Sequence, residues 1–331
     1  MIVTRAPFRI SFFGGGTDFP PWYRKHGGAV LATTIDKYCY INIRHLPPFF
    51  DHKHRIVYSK IESVLKNSEI QHPAVRAVFE WAEVKEGIEL HHDGDLPARS
   101  GLGSSSSFTV ALIQALAALN GTMKTKEQLA TEAIHVEQDI IKEHVGSQDQ
   151  ISAAFGGFNR IDFRQDSSFS VNPVILPGAR LKELHSHLML FFTGFTRFAS
   201  DIEKTKIANL DDRVVELTAI RQMVDRAIEI LHDKSAPLQE FGRLLHEGWL
   251  YKKSLSDKVS NPEIDAIYEA ALKAGADGGK VLGAGGGGFF LVFAKPEVQD
   301  AVRHSLSHLV YVPFDLETSG SRVMLYQPEG L

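Results

Sequence analysis

Cysteine is nearly absent. The 331 residues contain one, Cys39, so no disulfide can form within the chain. It lies in the apolar run Tyr38-Cys39-Tyr40-Ile41, where a buried strand thiol is the expected state rather than a nucleophile. Basic charge is not in excess: the net charge of -4 leaves no electrostatic footprint for nucleic acid or for an anionic membrane. No apolar stretch reaches membrane-spanning length, and Met1 to Pro7 lacks the basic-then-apolar layout of a signal peptide. A cytoplasmic protein with a small-molecule partner is the expectation, and a homodimer is left open. Internal repeats and low-complexity linkers are also missing.

What is present is ordinary globular composition, 44% hydrophobic and 23% charged, which excludes disorder and collagen-like chains. The length exceeds what one core usually supports, so two lobes with a cleft between them are expected. The first third reads as strands, at Ile2 to Thr4, Phe8 to Phe13, Ala29 to Thr33 and Tyr38 to Ile43. After Leu96-Pro97 the spacing of Phe108, Ala111, Leu112, Ala115, Leu116 and Leu119 predicts a helix, and Asn120-Gly121-Thr122 a turn that ends it. A second helix is expected from about Lys126 to Glu143, with Leu129, Ala133, Val136 and Ile140 in one stripe and Gly146 as its stop. This α+β lobe ends near residue 180.

The remainder, 181–331, opens with a strand at Leu188 to Phe192. A helix carrying Leu210, Val214, Leu217, Val224, Ile228 and Leu231 follows, and another near Leu238 to Leu255. Asn261-Pro262-Glu263 is a helix start. Strands at Lys280 to Leu282 and Phe289 to Phe293, a helix at Glu297 to Leu306 and a strand at Val310 to Val312 complete a β-α-β-β-α-β order with an extra helix, which suggests a ferredoxin-like lobe.

Three glycine motifs carry the chemistry. In Pro97-Ala98-Arg99-Ser100-Gly101-Leu102-Gly103-Ser104-Ser105-Ser106-Ser107, the glycines let backbone fold around an anion. The helix beginning at the serines would aim free N–H groups at a phosphate. Serine hydroxyls add donors and one oxygen ligand for magnesium. The simpler reading is a Gly/Ser turn with serine caps, which the long apolar helix directly behind it argues against.

The run Lys280-Val281-Leu282-Gly283-Ala284-Gly285-Gly286-Gly287-Gly288-Phe289 formally contains G-x-G-x-x-G but opens a strand, so a dinucleotide fingerprint fails; a Walker A loop fails too. A hairpin remains, whose bare backbone, Gly285 and Gly286 above all, can approach a ligand. In Arg9-Ile10-Ser11-Phe12-Phe13-Gly14-Gly15-Gly16-Thr17-Asp18 a strand ends in a glycine corner before a carboxylate, which suits either sugar hydroxyls or a helix cap.

Together these segments resemble the GHMP kinases over essentially the whole chain. The resemblance implies a two-lobed fold, with an N-terminal lobe related to ribosomal-protein S5 domain 2 and a ferredoxin-like C-terminal lobe. It also implies ATP and magnesium as cofactors. Pro7 to Asp18 is similar to the family's substrate motif, with Gly15, Gly16, Thr17 and Asp18 at the acceptor. Pro97 to Ser107 is similar to its phosphate loop, with Arg99 to Ser107 on ATP. Gly283 to Phe289 is similar to its third motif. By the same resemblance Asp149, in Gly146-Ser147-Gln148-Asp149-Gln150, stands at the base, Arg9 approaches it, and Ser104 and Glu137 hold the metal. Galactokinases carry Glu-His where this chain has Gly15-Gly16, which speaks against galactose. The detailed text is most similar to the branch of bacterial D-glycero-D-manno-heptose 7-phosphate kinases, with fucose kinases next. A non-catalytic sugar sensor would lack one of these parts, and none is missing.

Other clusters read more plainly. His45, Asp51, His52 and His54 fit a surface loop better than a zinc site. Arg44, Lys53 and Arg55, or Arg24-Lys25-His26, form either a solvated basic face or a grip on a sugar's distal phosphate. His91-His92-Asp93-Gly94-Asp95 reads as a turn.

Overall fold

The computed structural model describes residues 1–98, 100–194, 207 and 210–328. Two sheets organise it. The larger one has nine strands, built on two long neighbours, β1 (Ile2–Phe13) and β2 (Gly28–His45). The two runs expected at 2–4 and 8–13 are one strand. Pro7, which has no N–H to give, sits where the β1–β2 register shifts between Pro7 and Phe8, so a bulge absorbs it.

The second half of β2 pairs with β5 (Ile88–Gly94), and β5 runs parallel to β3 (His54–Val57), which pairs with the edge strand β4 (Ile61–Val64). The segment expected to be a turn at His91 to Gly94 is therefore strand. The first half of β2 pairs with β6 (Phe158–Phe163), itself paired with β7 (Phe169–Pro173).

Helix α3 (Ser104–Leu119) packs across β1 and β2, and thirteen of its sixteen residues are buried. An all-round apolar helix needs such a central place. Around it lie α1 (Pro20–His26), α2 (Pro73–Trp81), α4 (Lys126–Ile134) and α5 (Gln148–Phe155). A capping box of Thr125 and Gln128 starts α4. From His135 to Ile140 the chain is a π turn. The extra residue per turn breaks the expected stripe: Ile140 swings out to 37% exposure, while Glu137 turns in to 1%.

After α6 (Gly178–Ser186) comes the second sheet, of β8 (Leu188–Phe192), β9 (Gly278–Val281), β10 (Phe289–Phe293) and β11 (Val310–Tyr311). Its order, β11-β8-β10-β9 with antiparallel neighbours, is the ferredoxin-like arrangement the sequence suggests. The helices α7 (Val214–His232), α8 (Gln239–Ser254) and α9 (Pro262–Lys273) precede β9, and α10 (Gln299–Ser305) joins β10 to β11. Asn261 caps α9 by accepting from the Ile264 N–H at 2.9 Å.

The boundary expected at 180/181 does not separate the sheets. Two further strands, β12 (Leu316–Glu317) and β13 (Arg322–Tyr326), return to the first sheet and pair with β2 and β1. The lobes also share one core: Phe12 and Phe13 of β1 meet Phe241 of α8 edge to face, with ring centroids 5.5 and 5.1 Å apart. Edge-to-face pairs add about 0.5–1.5 kcal/mol each beyond area burial.

Candidate active site

The cleft is lined from both lobes, by Arg9, Gly15, Gly16, Asp18 and Asp149 on one side and Lys252 and Lys280 on the other. Its floor is the end of β1. There Gly14 has φ +86°, and a Cβ at that position would lie 1.9 Å from the Ala29 carbonyl oxygen, so only glycine turns this corner. Thr17 is wholly buried, and its hydroxyl bridges the carbonyls of Gly14 (2.8 Å) and Ala29 (3.0 Å). It pins the corner and does not line the cleft, although the sequence suggests a place at the acceptor.

Asp18 is buried to 2% exposure and accepts from the Gly16 N–H (2.9 Å), from Gln148 Nε2 (2.9 Å) and from the Gln148 N–H (3.3 Å). Burial, and then the nearby charge of Asp149, raise its pKa. Gly146 serves this carboxylate and does not stop a helix. A Cβ there would stand 1.9 Å from Asp18 Oδ2.

The phosphate loop is fixed by its own backbone. The Arg9 N–H donates to the Leu102 carbonyl at 2.9 Å, and Arg9 Nη1 to the Gly101 carbonyl at 2.5 Å. Gly103, with φ +76°, then turns the chain into α3. The first-turn amides of a helix have no intrahelical partner and, with the helix dipole, form an anion site. Of the four serines, two point inward. Ser107 Oγ donates to the Pro7 carbonyl at 2.8 Å, and Ser106 Oγ to Glu137 Oε2 at 2.8 Å. Ser104 is half-buried and Ser105 exposed. Arg99 lies outside the described residues.

The third glycine motif turns out to buttress this loop. The Phe289 N–H donates to the Ser100 carbonyl at 3.0 Å. A Cβ at Gly283 would lie 2.5 Å from the Gly101 Cα, and one at Gly288 would lie 2.3 Å from the Ser100 oxygen. Gly285 and Gly286 are not brought to the acceptor side. The Gly286 N–H donates to the Val259 carbonyl at 2.9 Å, and neither residue lines the cleft.

The head of α5 joins these parts: of three consecutive residues, Gln148 and Gln150 each hold a carboxylate and Asp149 between them supplies one. Gln148 binds Asp18. Asp149 takes a two-pronged bond from Arg9, Nε to Oδ1 at 2.7 Å and Nη2 to Oδ2 at 2.8 Å. Gln150 Nε2 donates to Glu137 Oε2 at 2.5 Å. Burial lifts the pKa of Glu137 to about 7, against the pull of hydrogen bonds from Thr109 and Ser106. Its other oxygen, Oε1, is buried and has no hydrogen-bond partner.

Two lysines that line the cleft carry no site role in the sequence reading. Lys252 Nζ donates to the Val281 and Gly283 carbonyls at 2.7 and 2.6 Å, and Lys280 Nζ crosses between lobes to the Phe12 carbonyl at 2.8 Å. Lys280 lies in the glycine motif and was a readable signal; Lys252, on α8, was not. None of Arg24, Lys25, His26, Arg44, Lys53 and Arg55 is among the residues that line the cleft. Among the described residues no group of three or more His, Cys, Asp and Glu could hold a metal, and no helix is long and apolar enough to cross a membrane.

An acid held by a guanidinium, at the mouth of an anion-binding helix terminus and beside a second buried carboxylate, is the layout of a phosphotransferase acting on an alcohol. The chain belongs to the GHMP kinases: the family's N-terminal domain matches residues 68–157 and its C-terminal domain residues 225–311. Over 306 residues, 89% of this chain and 90% of the other, it is 33% identical to a D-glycero-alpha-D-manno-heptose 7-phosphate kinase of Campylobacter jejuni. An L-fucokinase/L-fucose-1-P guanylyltransferase of Bacteroides fragilis is 26% identical across 90% of this chain and 35% of its own length. A crystal structure of a D-glycero-D-manno-heptose 1-phosphate kinase from Bacteroides thetaiotaomicron superposes with TM-score 0.79 at 25% identity, covering 98% of this chain and 99% of that one.

Proposed function

We propose that the chain is an ATP-dependent sugar kinase that transfers the γ-phosphate to O1 of D-glycero-D-manno-heptose 7-phosphate, on the way to a nucleotide-activated heptose. The observation that carries this reading is the head of α5, where Asp149 and Asp18 meet the cleft from adjacent sites, together with the full-length likeness to a heptose 7-phosphate kinase. Asp18 would accept hydrogen bonds from sugar hydroxyls. Asp149 would orient the attacking hydroxyl and take its proton late, since phosphoryl transfer asks for positioning more than for a strong base. Arg9 couples that acid to the phosphate loop through its bond to the Gly101 carbonyl. The amides at the start of α3 would carry phosphate charge.

Magnesium is part of the proposal. The residues fit it, because Glu137 offers a buried oxygen without a partner next to the phosphate loop. Mg²⁺ takes one or two carboxylates and completes its shell with phosphate oxygens and water. Glu137 would hold it, with Ser104 or Ser106 supplying a hydroxyl, and the ion would neutralise phosphate charge.

A second reading, an L-fucose or other free-hexose 1-kinase, is favoured by the cations of the cleft. Arg9, Lys252 and Lys280 are all engaged with protein oxygens, and the basic clusters lie elsewhere. An ADP-release assay against the heptose 7-phosphate, L-fucose and mannose decides between the two. The first reading expects the highest kcat/KM for the phosphorylated heptose and, by phosphorus NMR, a new phosphate on the anomeric oxygen. Equal or better use of a free sugar would replace it with the second.

A further inference from the structure

A separate cavity lies near the opposite end of β2 from the cleft, with Arg44, His52, Arg55, Ser63 and Glu89 among its lining. Gly28, packed against Thr17, begins β2 at the cleft; Arg44 lies sixteen residues further along the strand, roughly 50 Å of contour at about 3.3 Å per residue. The two linings share no residue.

Three strands build the charged face of this cavity. Arg44 sits opposite Glu89 in the β2–β5 ladder, and Arg55 sits beside Glu89 in the β3–β5 ladder. The Glu89 side chain is 7% exposed, whereas those of Arg44 and Arg55 are 52% and 44% exposed. Arg44 donates to Glu89 Oε2 from Nε at 2.7 Å and Nη2 at 2.5 Å; Arg55 Nη1 donates to Oε1 at 3.3 Å, and His91 Nε2 lies 3.1 Å from the same oxygen. Burial opposes ionisation of Glu89, but the bonds from Arg44 and His91 prevail and lower its pKa.

One carboxylate needs one guanidinium; here it orients two. These bonds use two of the five N–H groups of Arg44 and one of those of Arg55, so most of both donor forks remains available. Half-exposed ion pairs contribute little to stability, which leaves the surplus cation without a structural reason. The lining carries two arginines against one acid in a chain of net charge -4. Apart from Ser63, the rest of the wall is apolar or aromatic. The Phe50 ring stacks on His52 with centroids 5.4 Å apart, Ile61 is 66% exposed, and His52 Nε2 is buried without a hydrogen-bond partner.

We propose that this cavity is a second ligand site, which binds a phosphomonoester of a small ring compound: phosphate on the forks of Arg44 and Arg55, ring against Phe50 and Ile61. Paired guanidinium forks match a phosphate bidentately, and the volume, about 280 Å³, suits one small molecule and no macromolecule.

The test is calorimetric titration of glucose 6-phosphate and, separately, of inorganic phosphate into the full chain, with the nucleotide site saturated by a non-hydrolysable ATP analogue. Glucose 6-phosphate should bind more tightly than inorganic phosphate. Arg55→Ala should weaken it by about ten- to a hundredfold, and Arg55→Lys by less, because the charge persists without the fork. Kinase turnover without the probe should be unchanged in both variants, and their melting temperatures should match the wild type, since Arg55 is exposed and makes one long ion pair. Equal affinity in the wild type and Arg55→Ala would assign the binding to the catalytic cleft and overturn the proposal. So would equal affinity for the two probes, or no binding at 10 mM, on the order of the weakest affinities that count as specific.

Discussion

Arg9 holds both oxygens of Asp149, at 2.7 and 2.8 Å, and with its remaining nitrogen reaches the Gly101 carbonyl at 2.5 Å. A single side chain therefore fixes the distance between Asp149, the proposed acid, and the proposed phosphate loop. With Asp149→Asn the fork loses an anionic partner and the site loses its proton acceptor. Turnover should fall by about two orders of magnitude or more while the KM for ATP stays near normal. Near-normal turnover in a steady-state assay would remove Asp149 from its role.

Arg9→Lys separates charge from geometry. Lysine keeps the cation but cannot bond two carboxylate oxygens and a carbonyl at once. We expect kcat to drop about ten- to a hundredfold, one to two well-oriented bonds' worth, and the KM for ATP to rise with it because the Gly101 carbonyl loses its anchor. A variant that changes kcat alone would show that the loop does not depend on this contact.

Gly146→Ala tests the acceptor side without replacing any group proposed to bind substrate. Its Cβ would come within 1.9 Å of Asp18 Oδ2, so the carboxylate, or the backbone of 145–147, must shift. The expected result is a rise of about ten- to a hundredfold in the KM for the sugar, matching Asp18→Asn, with the KM for ATP unaffected; a 1 Å misplacement at a positioned group can cost up to about a hundredfold.

The legible part of this protein was the part written in short-range chemistry. The phosphate loop opens a helix at Ser104, the glycine hairpin approaches backbone closely, and Asn261 caps its helix, as spacing and residue type indicate. What escaped depends on contacts distant in sequence. The π turn that rotates Glu137 inward leaves no periodic trace, because the residues flanking it still read as one α stripe. Gly146 resembles a helix stop until Asp18, 128 positions earlier, is seen against it. Arg44 lies on the strand that begins beside the cleft, but β2 is eighteen residues long, so its far end lines another cavity. The return of β12 and β13 to the first sheet was illegible for the same reason, since strands of two and five residues gain their place only from the partners they find.

Glu137 supplies the prediction with the widest reach, because its protonation links stability to metal binding. Burial raises its pKa from 4.5 to about 7 in the folded protein. Between those two values the folded state binds a proton that the unfolded state has released, so this group's contribution to stability is full below about pH 4.5 and declines as pH rises, until it is gone above about pH 7. The span corresponds to roughly 3 kcal/mol. Without magnesium and nucleotide, the wild type should therefore lose stability toward urea from pH 5 to pH 8, and Glu137→Gln, which is neutral throughout, should lack that part of the decline. A divalent cation needs the ionised form. The magnesium concentration for half-maximal turnover should accordingly fall as pH rises through about 7 in the wild type. In Glu137→Gln it should be higher and show no such inflection. A wild-type magnesium requirement that is flat across this range, with urea stability that does not distinguish the two proteins at pH 8, would show that Glu137 is ionised in the free enzyme and that other groups receive the metal.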